Sequence, residues 1–148
     1  MGPDGYKGRR GLPLSVLEAV AQGCLDTFGI EHKKVEMIPA PAPNTRDARR
    51  VKQRLKTLLK KFDSTGNCIL LAHFDQGSLL PEWNIPHISP VGGYDPQKDR
   101  VTILDVDPAL PHPYQVSFDT FYKGISTHYQ NLFRPFGYGR GGCILIHL

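Results

Sequence analysis

The chain has 148 residues, of which 40% are apolar and 22% are charged, and its formal net charge is +4. This composition is that of one ordinary globular domain over residues 1–148, and it excludes disordered, collagenous and multidomain chains. No apolar run reaches the roughly 20 residues that a membrane-spanning helix needs, and residues 1–14 contain no apolar stretch of signal-peptide length. We therefore expect a soluble protein with no membrane partner.

The first predicted element is an amphipathic helix over residues 13–28. Pro13 stands near its start and Gly29 directly follows its end, as is typical of helix boundaries. A short strand is predicted over Lys34–Ile38, and the proline-rich residues 39–44 are predicted to be a stiff connector. The apolar stripe predicted for the helix consists of Leu14, Leu17, Val20, Ala21, Cys24, Leu25 and Phe28.

A second helix is predicted from Thr45 to Phe62, and it carries most of the positive charge. Apolar residues recur between the charges at helical spacing, so the cations are expected to form the solvated face of an amphipathic helix. Aromatic residues for base stacking are not interleaved with them. We therefore predict no nucleic-acid partner. The cations are Arg46, Arg49, Arg50, Lys52, Arg54, Lys56, Lys60 and Lys61.

The second half of the chain has the pattern of β-strands. Short apolar runs over residues 68–74, 101–106 and 143–148 are bounded by glycine, proline or charged turns, which indicates buried strands. Residues 95–99 (DPQKD) predict a hairpin turn between strands 91–94 and 101–106. The predicted fold class is therefore α+β, with helices packed on an antiparallel sheet.

The three cysteines, Cys24, Cys68 and Cys143, form no CxxC pair. Scattered thiols in odd number argue against a disulfide scaffold or a zinc ribbon, and they favour a reducing compartment. The cytoplasm is therefore the expected location.

His87 and Asp105 are the candidate functional pair. His87 is expected just before a strand, and the two residues flank a turn centred near residue 96, so a hairpin would place them opposite one another. A carboxylate beside an imidazole fixes its tautomer and stabilises the imidazolium, as in nucleophile–His–Asp triads. The spacing alone also fits a histidine and an aspartate that are neighbours by chance.

The segments HISPVGGYD (87–95) and DRVTILDV (99–106) resemble the signature of phytochelatin synthases. The resemblance implies a papain-like fold whose helical half is incomplete here, and a Cys-His-Asp triad in which His87 is the general base and acid and Asp105 orients it. Arg140 in the RG segment resembles the arginine that binds the glutamyl end of the substrate, a task that suits guanidinium. Pro86 and Gly142 depart from the family pattern.

The family's nucleophilic cysteine lies in a segment for which this chain has no counterpart. Cys24 is expected to be a buried apolar residue late in its helix, and Cys68 begins a strand. Cys143 follows Arg140, Gly141 and Gly142, near the expected substrate pocket, so it is the only reserve nucleophile that we predict. We therefore expect the chain to be, in order of preference, a fragment of a full enzyme, a subunit whose partner polypeptide supplies the cysteine, or a pseudoenzyme that binds without reacting.

The resemblance implies transfer of the γ-glutamylcysteinyl group from glutathione, or hydrolysis of glutathione to γ-glutamylcysteine and glycine. No tightly bound cofactor is expected, because cadmium or zinc would enter as the metal thiolate of the substrate. The alternative is noncatalytic binding of glutathione-like peptides, and a native upstream cysteine would discriminate between the two.

Overall fold

A computed structural model describes residues 12–80, 86–127 and 139–148. The helices are α1 (Leu14–Thr27), α2 (Arg46–Thr65) and α3 (Phe118–Ser126), and a 3₁₀ turn covers Gln76–Ser78. The strands are β1 (Lys34–Pro39), β2 (Cys68–Asp75), β3 (Pro86–Asp95), β4 (Arg100–Ile103), β5 (Tyr114–Ser117) and β6 (Gly142–His147). They form one sheet in the order β1-β6-β2-β3-β4-β5, and every neighbouring pair is antiparallel.

The sheet carries helices on both faces. On one face, α2 and α3 bury a core that includes Leu55, Phe74 and Phe121. On the other face, α1 buries a smaller cluster with Ile144 and Ile146 of β6. The predicted α+β class, with helices packed on an antiparallel sheet, is confirmed. Within the described residues, no helix combines the length and the apolar character that crossing a membrane requires.

Helix α2 begins where the sequence predicts and ends three residues later. The Oγ1 atom of Thr45 accepts a hydrogen bond of 3.0 Å from the amide of Ala48, which is a standard N-cap. At the other end, Gly66 adopts the left-handed conformation (φ 54°) and donates its amide to the carbonyl of Phe62. The left-handed glycine, rather than the last apolar residue of the stripe, therefore ends the helix.

Helix α1 buries a narrower stripe than predicted. Leu14, Leu17, Ala21 and Leu25 face the sheet and are buried. Val20, Cys24 and Phe28 are exposed, and Phe28 is 77% exposed. The prediction that Cys24 is buried is therefore wrong, because a single layer of contact with the sheet covers only part of the apolar arc of α1.

The hairpin predicted at residues 95–99 is confirmed, but its two strands differ from the prediction. Strand β3 begins at Pro86, so His87 lies inside a strand and not before one. Strand β4 ends at Ile103, so Asp105 lies beyond the strand in which it was predicted. The strand ends there because the Oδ1 atom of Asp105 accepts a hydrogen bond of 2.9 Å from the amide of Asp107, which turns the chain out of the sheet.

Several strands end or begin at the same end of the sheet, which we call the upper end. Strand β2 ends there at Asp75, which pairs with Pro86 at the start of β3. Strand β6 begins there at Gly142, which pairs with both His73 and Pro39. Because the strands alternate in direction, the upper end collects residues that are far apart in the sequence.

Gly141 provides a test of the packing at the upper end. A Cβ atom at this position would collide with the carbonyl of His73 in β2 and lie 2.9 Å from the carbonyl of Ile125 in α3. Backbone atoms of two elements cannot move aside as a side chain can, so Gly141→Ala should lower the free energy of unfolding by about 2–3 kcal/mol. Urea denaturation measures this change.

Gly139→Ala is the matched control, because no atom of the described residues lies within 4 Å of a Cβ atom built there. Its free energy of unfolding should stay within about 0.5 kcal/mol of the parent value. Equal stability of the two variants would contradict the close approach of Gly141 to β2 and α3.

Candidate active site

His87 and Asp105 meet at the upper end of the sheet. The Nε2 atom of His87 lies 2.7 Å from the Oδ1 atom of Asp105, which is the distance of a strong, charge-assisted hydrogen bond. The carboxylate is fully buried, whereas the imidazole is 13% exposed. The structure therefore brings the two predicted residues together, and their catalytic role stays a prediction.

The carboxylate of Asp105 is held by two further donors. The hydroxyl of Tyr114 donates a hydrogen bond of 2.8 Å to Oδ2, and the amide of Asp107 donates to Oδ1. Burial alone would raise the pKa of Asp105, but the Asp107 amide, the Tyr114 hydroxyl and His87 together lower it below its ordinary value. Asp105 is therefore a fixed anion near neutral pH. Burial and the neighbouring carboxylate raise the pKa of Tyr114, so its hydroxyl stays a donor.

One ring nitrogen of His87 makes the hydrogen bond to Asp105, and the other is available to a substrate or a nucleophile. Because Nε2 donates to an ionised carboxylate, the neutral ring carries its proton on Nε2, and Nδ1 is then a lone-pair acceptor. No described residue makes a hydrogen bond to Nδ1. The ring of Phe74 packs edge-on against the imidazole, with the centroids 5.5 Å apart, and limits its rotation. This arrangement suits proton transfer at Nδ1.

The contact between His87 and Asp105 does not come from direct pairing across the hairpin. Val91 pairs with Ile103, and continuing that register would place Asp105 level with Ser89. The predicted direct opposition is therefore wrong. A bulge at Gly92 shifts the register, and the turn held by the Asp107 amide then directs the carboxylate towards the imidazole.

Arg140 lies at the upper end of the sheet, two residues before β6, and it is exposed. Burial raises the pKa of Tyr122 to about 12, and the positive charge of Arg140 nearby opposes that rise. Strands β6 and β3 are separated by β2 alone, so their backbones lie two strand spacings, roughly 10 Å, apart. The structure thus places Arg140 near the histidine but not against it.

None of the three thiols is placed to react with His87. Cys143 is fully buried in the core shared with α2 and α3, and burial raises its pKa to about 12. Cys68 lies at the opposite end of β2 from Phe74, and burial raises its pKa as well. Cys24 is exposed on α1, which packs on the opposite face of the sheet from Phe74. The structure therefore contradicts the choice of Cys143 as a reserve nucleophile, because a thiol in an apolar core does not ionise.

Sequence patterns missed two residues that hold the pair. Tyr114 begins β5 and pairs with Ile103, so its hydroxyl reaches the carboxylate that follows β4. Phe74 ends a buried apolar run and gives no indication that it contacts a histidine. Only the strand pairing brings these side chains to the site, and a lone tyrosine after a proline-rich segment has no distinguishing spacing.

A histidine with a buried carboxylate on one nitrogen and a free second nitrogen is typical of enzymes that transfer acyl groups through a nucleophile. The sequence profile of the phytochelatin synthase family matches residues 9–138, so the chain belongs to that family. It is a family of transferases that act on glutathione. The match covers both His87 and Asp105 and ends two residues before Arg140. A search of curated proteins finds no significant match.

Proposed function

We propose that this chain contributes the histidine and the aspartate of a site that transfers the γ-glutamylcysteinyl group of glutathione. The observation that carries the proposal is the hydrogen bond between His87 Nε2 and the buried, triply bonded carboxylate of Asp105, which leaves Nδ1 as the base. A papain-like arrangement, in which a cysteine faces the histidine, accounts for this geometry.

In the proposed reaction, Nδ1 of His87 takes the proton of a cysteine thiol, and the thiolate attacks the carbonyl carbon of the Cys–Gly bond of glutathione. The carbon–nitrogen bond breaks, and the proton passes from His87 to the glycine nitrogen. A γ-glutamylcysteinyl thioester remains, which a second glutathione or water then resolves. Asp105 stabilises the imidazolium in between.

Arg140 is the proposed partner of the α-carboxylate at the glutamyl end. The two residues between that carboxylate and the bond to be cleaved span roughly 7 Å when extended, and the γ-linkage adds to this length. This span is of the same order as the two strand spacings, roughly 10 Å, that separate the backbones of β6 and β3. An exposed guanidinium can bind a carboxylate through two parallel hydrogen bonds.

The nucleophile is proposed to come from a polypeptide segment outside these 148 residues. The burial of Cys143 and the positions of Cys68 and Cys24 support this source. Cadmium or zinc is proposed to take part as a thiolate complex of the substrate, and three free cysteines suit a cytoplasmic, reducing location. The burial of Cys143 also favours the second candidate function, which is binding of glutathione-like peptides without reaction.

Complementation tests the proposal. The cysteine-bearing segment of a phytochelatin synthase is fused ahead of Leu12, and glycine release from glutathione is measured with and without cadmium. The chain alone should bind glutathione and release no glycine, whereas the fusion should release it. Cys143→Ala in the fusion should leave the rate unchanged, because that thiol lies in the core.

Two results would contradict the proposal. Glycine release by the unfused chain that disappears in Cys143→Ala would mean that the core thiol reacts. A folded fusion that binds glutathione as tightly as the unfused chain but releases no glycine would instead favour the second candidate function, binding of glutathione-like peptides without reaction. Circular dichroism and thermal unfolding establish that the fusion is folded.

A further inference from the structure

The sheet face that carries α1 is only partly covered by described residues. Helix α1 packs mainly over β1 and β6. On the same face, β2, β3 and the residue that follows β4 present apolar side chains that are half-buried or exposed. These side chains are Ile69 (37% exposed), Leu71, Ile88 and Leu104 (41% exposed).

Strand pairing places these side chains on the face of α1. Ile69 pairs with Ile146, which is buried in the cluster under α1, and Leu71 packs against the same cluster. Ile88 of β3 also packs against that cluster. Leu104 follows the last residue of β4, which is buried under α2 and α3, so alternation directs Leu104 to the face of α1.

The flank of α1 that borders these strands is apolar as well. The opposite flank is marked by Glu18, which accepts a hydrogen bond from the amide of Met37 in β1, and by Gln22, which contacts His32 just before β1. A row of three residues, each four positions from the next, lies on the side of the helix away from β1. The row consists of Val16, Val20 and Cys24, and all three are exposed.

The row on α1 and the four side chains of the sheet form an apolar corner, which we call the open face. The strands beneath it pair their amides and carbonyls within the sheet, so the open face offers few backbone hydrogen bonds to a segment that covers it. A covering segment must therefore satisfy its own backbone groups, as an α-helix does, and present apolar side chains.

The open face extends to the upper end of the sheet. Ile88, one of its members, directly follows His87. The carbonyl oxygen of Leu12 lies 2.6 Å from the Nε2 atom of His73, and His73 pairs with Ile88. A polypeptide joined ahead of Leu12 therefore starts beside β2 at the upper end, one strand away from His87.

We propose that the open face binds an amphipathic helix of the polypeptide that supplies the nucleophilic cysteine. The helix packs with its apolar side between α1 and strands β2 to β4, and the end that carries the thiol lies at the upper end of the sheet. This inference rests on the proposed function, which takes the nucleophile from a segment outside these residues.

Alkylation of Cys24 tests the proposal, because this exposed thiol lies on the open face. The fusion described above, with the cysteine-bearing segment of a phytochelatin synthase ahead of Leu12, is compared with the unfused chain. Both proteins are treated with N-ethylmaleimide under native conditions, and peptide mass spectrometry measures the rate at Cys24. The rate should be about tenfold lower in the fusion, because a packed helix removes the thiol from solvent and disfavours the thiolate.

Val20→Glu and Ile69→Glu should each remove most of this protection and lower glycine release by the fusion, because a carboxylate is not buried against an apolar helix. The side chains are 41% and 37% exposed, so the unfused chain should fold as before. Ile69 lies near the start of β2, at the opposite end from His87, so a direct effect on the site is excluded. Each variant is measured fused and unfused, which cancels any effect of the new charge on Cys24 itself.

Ile30→Glu is the matched control. Ile30 is 48% exposed, and its carbonyl contacts the imidazole of His32 on the opposite flank of α1. This variant should keep both the protection of Cys24 and the rate of glycine release.

Three results would overturn the proposal. The first is an equal rate at Cys24 in the fusion and the unfused chain, and glycine release by that fusion would show that the proposed function still holds. The second is equal protection in Val20→Glu and Ile30→Glu. The third is protection of the unfused chain that rises with its own concentration, because a second copy then covers the open face. Protection of Cys24 in a fusion that binds glutathione but releases no glycine would uphold the docking and contradict the proposed function.

Discussion

Replacing His87 by glutamine should reduce glycine release by the complemented enzyme by about 10³-fold. Glutamine keeps a hydrogen-bond donor that can reach the carboxylate of Asp105, but it has no group that can take the proton of a thiol and return it to glycine. The loss should appear in kcat, because the imidazole acts on the reacting atoms and does not hold the glutamyl end of glutathione. Initial rates of glycine release over a range of glutathione concentrations separate kcat from KM.

His112→Gln is the control for this prediction. His112 is exposed in the segment between β4 and β5, and it makes no hydrogen bond with a described residue. The rate of this variant should equal that of the parent. A His87→Gln enzyme that keeps more than a tenth of the parent kcat, with its fold intact, would exclude His87 as the general base.

The local sequence pattern correctly predicted the elements whose structure depends on interactions between residues close in the sequence. The turn at residues 96–99 depends on Asp95, whose Oδ1 atom accepts hydrogen bonds of 2.9 and 3.1 Å from the amides of Gln97 and Lys98. The start of α2 depends on the cap at Thr45. Such interactions involve neighbours in the sequence, so spacing and residue type predict them.

The sequence could not predict features that depend on contacts between distant segments of the chain. The predicted stripe of α1 includes Val20, Cys24 and Phe28, but only the packing against β1 and β6 determines which part of the apolar arc is buried. His87 was expected just before a strand, but the strand already starts at Pro86. Pro86 begins β3 because Asp75 at the end of β2 pairs with it.

The candidate site likewise has features that the sequence predicted and features that it could not predict. The spacing of His87 and Asp105 and the resemblance to a family predicted that they are neighbours, although the register that was expected to align them is wrong. Tyr114 could not be found, because its role depends on the pairing of β5 with the end of β4. The reserve role of Cys143 failed because nearness in sequence to Arg140 does not reveal that the thiol is buried in the core under α2 and α3.

Replacing Asp105 by asparagine should reduce glycine release by the complemented enzyme by roughly 10²- to 10⁴-fold, while the fold is kept. The amide oxygen can still accept from His87 and from the Asp107 amide, and the amide nitrogen can donate to Tyr114 once its hydroxyl rotates. What is lost is the buried negative charge that stabilises the imidazolium and selects the tautomer with its proton on Nε2.

Tyr114→Phe is the matched variant, because it removes one hydrogen bond to Asp105 and leaves the charge. Its loss of rate should be much smaller than that of Asp105→Asn. If the two losses are equal, the position of the carboxylate matters and its charge does not. Equal losses would contradict the proposed role of Asp105 as the ion that stabilises the imidazolium.

Acid unfolding gives a second measurement of Asp105 that does not depend on activity. The folded protein holds the pKa of this carboxylate below its ordinary value of 3.8, so its ionisation stabilises the fold above that pH. The stabilisation is lost as the pH falls through the lower, folded-state pKa. The free energy of unfolding of Asp105→Asn should therefore fall less steeply than that of the parent below about pH 4. Parallel curves for the two proteins in urea titrations across this range would mean that the buried carboxylate is not held as an anion, and the imidazolium would then have no counter-charge.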